Sequence, residues 1–369
     1  MAHPLDKLTI KGFKSIESLE DFELTNLNIL IGGNGAGKSN FIDFFRMISA
    51  MMKSDGLKEF IAGNADVYLF GGPKNTKKIT VKMAFGQNGY DFELAPTEDG
   101  FLLINNEKRH FFVSKEKKST LNLGSGNFNP QLLHDKNRAN IGGTGHGASW
   151  YTYESICSWQ IYHFHDTTKE AGMRRYHDVG HNEVLFADGA NIAPFLFFLR
   201  EGKKTIYEEI IAAVRLVNPF FADFILEPDK QENIRLRWRQ KGMKDYPMRP
   251  GQLSDGSIRF ICLATALLQP TPPATIIIDE PELGLHPLAI NVLAELVQSA
   301  ARKTQLIIAT QSPSFIDNFS IENIIAVNRE NGASTFDRLK EKDFNVWLES
   351  YSVGELWSKN VLSGGSVHE

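Results

Sequence analysis

The chain has 369 residues, 42% of them hydrophobic, with a net charge of −4 and a pI near 6.2. That length can bury a large core and suggests about two domains, or one carrying an insertion. The acidic balance excludes a chain built mainly to coat nucleic acid, two cysteines (Cys157 and Cys262) exclude a disulfide framework and fit a reducing cytoplasm, and no basic-then-apolar leader or membrane-length apolar run is seen.

In chain order, Leu8 to Phe13 and Asn26 to Ile31 read as strands. Residues 32–39 then spell Gly-Gly-Asn-Gly-Ala-Gly-Lys-Ser, followed by a helical pattern from about Asn40 to Met52. Strand, glycine loop, Lys-Ser and helix together are the setting of a phosphate-binding loop. The glycines let the backbone turn tightly, so that its N–H groups can surround phosphate oxygens, and the helix N-terminus adds partial positive charge. The motif and its flanks nominate Asn34, Gly35, Gly37, Lys38, Ser39 and Asn40 as ATP-binding residues. Lys38 supplies a charge for the β- and γ-phosphates, and the Ser39 hydroxyl is a candidate Mg²⁺ ligand.

Ile79 to Phe85, Tyr90 to Leu94 and Phe101 to Ile104 read as strands of an antiparallel meander, with turns at Gly86-Gln87-Asn88-Gly89 and Glu98-Asp99-Gly100. A basic cluster, Lys108, Arg109, Lys115, Lys117 and Lys118, reads as surface loop. Residues 119–150, rich in Gly, Asn and Ser, read as a long loop. Their Gly142-Gly143-Thr144-Gly145 lacks both the preceding strand and the following Lys-Ser of a second phosphate loop. Ile192, Phe195, Leu196 and Leu199 repeat at helical spacing, and a second helix runs near Thr205 to Leu216. Leu226 to Arg239 reads as strand again. There Arg235, Arg237 and Arg239 alternate with Leu236 and Trp238, which puts three arginines on one face of a strand, a candidate nucleic-acid face continued by Lys241 and Lys244. The same pattern also suits a charged edge strand that blocks sheet-to-sheet pairing.

The last third alternates helix and strand, as in a doubly wound layer. Leu253-Ser254-Asp255-Gly256-Ser257 precedes an apolar helix through Leu268, so Ser254 and Gly256 offer donors at a helix N-terminus. Thr275 to Ile278 is a β-branched run that ends in Asp279-Glu280-Pro281-Glu282. A buried strand ending in two carboxylates suits Mg²⁺ at Asp279 and general-base work at Glu280. Thr304 to Thr310 is a further buried strand, with Gln311 at its tip as a γ-phosphate sensor.

This set resembles an ABC-type ATPase head of the SMC, RecF and OLD group, with Walker A at 32–39, signature at 253–257, Walker B at 275–280, D-loop at 282–287 and switch at 310–312. Lys11-Gly12-Phe13-Lys14-Ser15-Ile16 is similar to the opening strand and turn of such heads, and Tyr162-His163-Phe164-His165-Asp166 and Leu356-Trp357 are similar to segments of stand-alone bacterial ATPases of that group. The resemblance implies an α/β P-loop fold with a mixed, largely parallel core sheet, helices on both faces, an antiparallel meander and a helical insertion. The expected organisation is an N-terminal lobe over 1–118, an insertion over 119–250 and a C-terminal lobe over 251–369. It further implies a head-to-tail homodimer closing around two ATP, in which Ser254 and Gly256 meet the γ-phosphate held by the other subunit. The expected role is a cytoplasmic ATPase switch controlling a separately encoded effector of a defence or toxin-like module, or, alternatively, a RecF-like repair ATPase that binds DNA directly. Transporter service is the least favoured role. The Q-loop position falls to Gln160 or to the pair His163/His165, for which a zinc site is not indicated. Two departures stand out: Asp255 replaces glycine beside a phosphate position, and Gln311 stands where many heads have histidine. Only 55 residues follow Ser314, and no Glu with Asp-x-Asp is found there, so a Toprim nuclease is not expected in this chain; the tail instead finishes the sheet and packs Phe336, Phe344, Trp347 and Trp357.

Overall fold

The computed structural model describes residues 2–113, 117–136 and 147–362, with Lys244 described by its backbone. The chain begins with a hairpin, β1 (Lys7–Phe13) and β2 (Ile16–Glu23), then β3 (Leu27–Ile31) and helix α1 (Lys38–Met51). Short helices α2 (Gly56–Ile61) and α3 (Gly72–Asn75) lead to β4 (Ile79–Phe85), β5 (Asn88–Pro96), β6 (Leu102–Phe112) and β7 (Lys118–Gly124). Next come α4 (Leu132–Asp135), α5 (Ala148–Cys157), β8 (Trp159–Tyr162), β9 (His177–Asp178), the helix pair α6 (Ile192–Gly202) and α7 (Lys204–Val217), and four short strands. Those strands are β10 (Phe221–Ile225), β11 (Asn233–Ile234), β12 (Arg237–Gln240) and β13 (Met243–Met248). The last part holds α8 (Asp255–Leu268), β14 (Thr275–Asp279), α9 (Pro287–Ala300), β15 (Gln305–Thr310) and α10 (Pro313–Ile316). It closes with β16 (Ile324–Glu330), β17 (Ala333–Arg338), α11 (Asn345–Leu348) and α12 (Val353–Ser358).

The central sheet has the order β17-β16-β3-β15-β14-β8, parallel except for the β16–β17 hairpin. Its inner strands are apolar on both faces because both faces are covered. Ile276, Ile278, Leu306 and Ile308 point into one core, packed by α6, α7, α8 and α9. Ile277, Ile307 and Ala309, one residue out of phase, point into a second core formed with α1 and the other sheet. That sheet is antiparallel, in the order β2-β1-β4-β5-β6-β7. Helix α1 is amphipathic towards it, burying Phe41, Phe44, Phe45, Ile48 and Met51.

The strands expected from the sequence are present except over Leu226 to Arg239, where only β11 and the start of β12 fall and residues 226–232 are not strand; the fold is the mixed α/β architecture with meander and inserted helices. Several elements were not foreseen. Strand β2 was hidden because its buried residues, Ile16 and Leu19, are three apart rather than alternating. Residues 119–150 are not one long loop: β7 is a weakly apolar edge strand added to β6, and α4 and the start of α5 lie there as well. The basic cluster is correspondingly not a loop, since Lys108 and Arg109 belong to β6 and Lys118 opens β7; Lys115 and the segment 142–145 lie outside the described residues. In the tail, Phe336, Phe344 and Trp357 pack as expected, whereas Trp347 is 47% exposed. No described helix is long and apolar enough to cross a membrane.

Buried Gln305 anchors the N-terminal segment to the start of β15. Its amide accepts from Leu5 N (3.2 Å) and Thr275 Oγ1 (3.0 Å) and donates to Leu5 O (2.8 Å) and Thr25 O (3.1 Å). Gln305→Leu strands these partners away from water and is expected to cost about 2–4 kcal/mol, read as a lowered urea midpoint at unchanged m-value.

Candidate functional site

The parallel strands β3, β15 and β14 end level with one another, with Ile31 paired to Thr310 and Ala309 paired to Asp279. The loop after β3 therefore faces the carboxylates after β14 and the polar residues after β15. Gly37 caps α1 with φ of 120°, and a Cβ there would run into Ser334 Oγ, so no other residue fits without displacing β17. Asn34, Gly35 and Ser39 are exposed at the loop surface, while Lys38 is 5% exposed. Its ammonium donates to Gly32 O (2.5 Å) and Gly33 O (3.1 Å). Burial lowers the Lys38 pKa, and nearby Glu280, Asp279 and Glu282 oppose that shift.

The carboxylates share this setting. Burial raises the Asp279 pKa, and Glu280 adds to the effect. Glu282 is raised by burial too; its Oε1 accepts from Thr310 Oγ1 (2.5 Å), and its Oε2 is buried with no hydrogen-bond partner. Three carboxylates thus face one ammonium, an excess of negative charge that a divalent cation would neutralise. Among the described residues no three acidic, His or Cys side chains form a metal cage. Mg²⁺ does not need one, since it usually takes one or two protein oxygens and completes its shell with phosphate and water. Ser39 and Asp279 fit that pattern.

Gln311 links the two halves. Its Nε2 lies 2.9 Å from Asn34 Oδ1 and 2.9 Å from Glu280 Oε1, so one neutral amide spans the loop and the candidate base. Glu280 itself has φ of 44°, and its N–H donates to Ala309 O (2.8 Å), turning its side chain out of the strand line. Of the Q-loop candidates, Gln160 sits inside β8 opposite Ile276. His165, past the strand end, interacts electrostatically with Asp279 and Glu280; burial lowers its pKa, Arg259 pushes the same way, and the two carboxylates oppose.

Ser254 caps α8, its Oγ accepting from Ser257 N (3.1 Å), and is exposed. Gly256 lies against the D-loop, where a Cβ would overlap the carbonyl of Gly284. Two buried arginines fasten this region. Arg174 donates through Nε to Thr167 O (2.9 Å), through Nη1 to Leu253 O (3.2 Å) and Pro250 O, and through Nη2 to Asp255 Oδ1 (2.8 Å). Arg259 donates through Nε to Phe164 O (2.8 Å), through Nη2 to His165 O (3.2 Å) and through Nη1 to Leu283 O. Asp255 is thereby paired within its own chain, on the side of its carboxylate that faces the protein. Arg259 comes two positions after the signature and could have been singled out by its place on α8; Arg174, 81 residues from Asp255, carries no local signal.

The arginine face is divided. Arg235 lies outside β12, half-buried with its guanidinium 4.6 Å from the Tyr176 ring, because the strand breaks between β11, which pairs β9, and β12, which pairs β10 and β13. Arg237 pairs with Glu227 (3.1 Å), and Arg239 is exposed, while Leu236 and Trp238 are buried as expected. The Lys244 side chain lies outside the described residues.

Residues 27–317 match the model of the AAA_21 family, described as "AAA domain, putative AbiEii toxin, Type IV TA system". The chain is 24% identical over 152 residues to the high-affinity branched-chain amino acid transport ATP-binding protein BraG of Pseudomonas aeruginosa, covering 39% of this chain and 63% of that protein's length. Among solved structures it resembles the SMC head bound to the C-terminal winged-helix domain of ScpA, with a TM-score of 0.60, 16% identity and coverage of 92% of this chain and 99% of that one. It also resembles the SMC head with an extended coiled coil bound to the C-terminal domain of ScpA derived from Pyrococcus furiosus, with a TM-score of 0.53, 15% identity and coverage of 94% and 98%. The fold is that of an SMC-type head, and residues 27–317 carry the AAA-type ATPase domain of the matched family.

Because Gly256 and Gly284 touch, Gly256→Ala is expected to push the D-loop outward and lower ATP turnover at least about tenfold, with ATP binding retained. Steady-state kinetics beside an equilibrium titration with a fluorescent ATP analogue checks this.

Proposed function

The chain belongs to the AAA_21 family, and we propose that within it the protein acts as an ATP-switched homodimer that controls a separately encoded effector. The observation that carries this reading is the outward-facing signature. Ser254 stands exposed at the start of α8, and among the described residues no hydrogen bond or ion pair joins Ser254 or Ser257 to the chain's own residues 32–39. A second copy, head to tail, would bring that N-terminus to the γ-phosphate held by Lys38 and Ser39.

In the proposed cycle, the backbone N–H groups of the glycine loop, with Asn34 beside them, cradle the phosphates of ATP, and Lys38 exchanges its carbonyl partners for β- and γ-phosphate oxygens. Mg²⁺, held by Ser39 and Asp279, would spread the charge that builds on the leaving β-phosphate oxygen. Glu280 takes the proton of the attacking water; the new P–O bond forms as the bond to ADP breaks, giving ADP and phosphate. Gln311, holding Glu280 and Asn34 together, sets the base relative to the loop. ATP closes the dimer and hydrolysis opens it. The toxin–antitoxin wording of the family description supports an effector module as the setting. Antiviral defence is the purpose such a module would serve, and a nuclease is one chemistry its effector could carry.

A second reading, direct DNA binding of RecF type, rests on Arg239 and Lys241, which are exposed and have no ion-pair partner among the described residues. Serine at Arg239 and Lys241 together is expected to abolish salt-sensitive DNA binding at unchanged basal ATPase, measured by fluorescence anisotropy across a salt series. Unchanged binding removes this reading.

The switch is tested with Glu280→Gln, expected to retain ATP, lose at least about 100-fold in turnover and elute as a dimer in ATP, with light scattering giving the mass. Lys38→Ala is expected to lose nucleotide binding and stay monomeric. Normal hydrolysis by Glu280→Gln would exclude Glu280 as the base, and an ATP-loaded monomer would exclude the dimer.

A further inference from the structure

The phosphate loop is held from outside by a chain of hydroxyl groups whose direction can be worked out by counting protons. Ser334 Oγ lies 2.5 Å from Ala36 O and 2.7 Å from Ser15 Oγ. Asn40 Nδ2 lies 2.7 Å from Ser15 Oγ. A carbonyl only accepts, so the Ser334 hydroxyl donates to Ala36 O. Ser334 Oγ then has no proton left for Ser15, and the short contact between the two serine oxygens requires the Ser15 hydroxyl to donate to Ser334. Ser15 Oγ in turn accepts from the Asn40 amide. Reversing that amide would claim the Ser15 proton and leave two serine oxygens facing each other with none between them. The only arrangement with a proton at every link therefore runs from Asn40 to Ser15 to Ser334 to Ala36 O.

The links come from three places. Asn40 is on the first turn of α1, Ser15 is in the β1–β2 turn, and Ser334 is on β17. The backbone joins the same two strand segments, Ser334 N donating to Ser15 O (2.7 Å). Ser334 is 2% exposed and Ser15 7% exposed, so water does not readily replace either partner.

We infer that Ser15 and Ser334 are positioning residues for nucleotide binding: they orient the Ala36–Gly37 peptide, and Asn40 serves this relay rather than touching ATP. The inference rests on reading residues 32–39 as the phosphate cradle. In a trans peptide the C=O and the N–H point to opposite sides of the plane. Fixing Ala36 O outward against Ser334 thus fixes the Gly37 N–H on the inward side, where a phosphate oxygen is received. Gly37 has φ of 120°, outside the range that ordinary side chains enforce, so the loop does not hold this peptide by its own backbone preference. The relay supplies the missing constraint. It also ties the cradle to the antiparallel sheet through Ser15.

The relay's direction predicts a graded result. Ser334→Ala removes the bond to Ala36 O and orphans the Ser15 hydroxyl, and is expected to raise the KM for ATP roughly 5- to 30-fold with kcat at saturation within about twofold. Ser15→Ala keeps the last bond and has a smaller effect; Asn40→Ala keeps the last two and has the smallest. The double variant Ser15→Ala/Ser334→Ala is expected to fall short of the product of the single effects, because both act through one chain. Amide hydrogen exchange over residues 35–38 in the nucleotide-free proteins is the companion readout: exchange quickens in the same order while melting temperatures stay close to wild type. If Ser334→Ala fails to fold, the order of the other two variants still decides. A largest effect from Asn40→Ala makes Asn40 a direct ligand and overturns the relay, as do unchanged KM and exchange in both serine variants. Lys38→Ala is the control: if it binds ATP normally, the cradle itself has been misread, a failure separate from that of the relay.

Discussion

The parallel register of β8, β14, β15 and β3 is the constraint on which the site depends. Parallel strands must all end at the same edge, and their crossover helices return the chain to the other edge. Ile31, Thr310, Asp279 and Tyr162 are consequently the last strand residues along one line, and the segments leaving them are delivered to the same place. Those segments open with a glycine loop, a glutamine, a glutamate and a histidine pair. None of these approaches the others through local sequence. Gln311 reaches Asn34 across 277 positions and Glu280 across 31 because the sheet brings their strand ends level.

Charge balance then explains the choice of side chains along that edge. One ammonium, Lys38, sits among Asp279, Glu280 and Glu282, and burial penalises the charges of Lys38, Asp279 and Glu282 alike. A histidine at position 311 could contribute a proton of its own to this balance; glutamine cannot. It bridges the loop and Glu280 while leaving the net charge to be set by the bound ligand, which suits a site that recognises a phosphate-bound cation.

Much of this was legible in the chain because it is written locally. Glycine spacing, Lys-Ser, a β-branched run closing in Asp-Glu and the helical repeat from Ile192 each depend on neighbours within about ten residues. The unread parts depend on distant partners. Strand β7 has little apolar alternation and exists because β6 offers it an edge. The three arginines alternate as a strand should, yet a break before Arg237 sends the two ends to different sheets and gives each arginine its own fate. Ser334 shows nothing in sequence to distinguish it from other surface-strand serines, and its position above Gly37 arises only from the β16–β17 hairpin lying beside β3.

Arg174 shows how a departure from a motif can be absorbed elsewhere. A carboxylate on the first turn of α8 is favoured by the helix dipole but opposed by any phosphate brought to that N-terminus. The Arg174 guanidinium, itself buried, takes Asp255 and three backbone carbonyls at once, so the acidic side chain is turned into a structural tie. Arg259 does the same for the carbonyls of Phe164, His165 and Leu283. Together they fasten the segment after β8, the signature turn and the D-loop to each other. Those three stretches cannot shift independently without leaving a buried guanidinium unpaired, which is costly. A displacement of the segment after β8 is therefore resisted both by the turn before α8 and by the loop after β14, and the two guanidiniums make one unit of stretches that lie far apart in sequence.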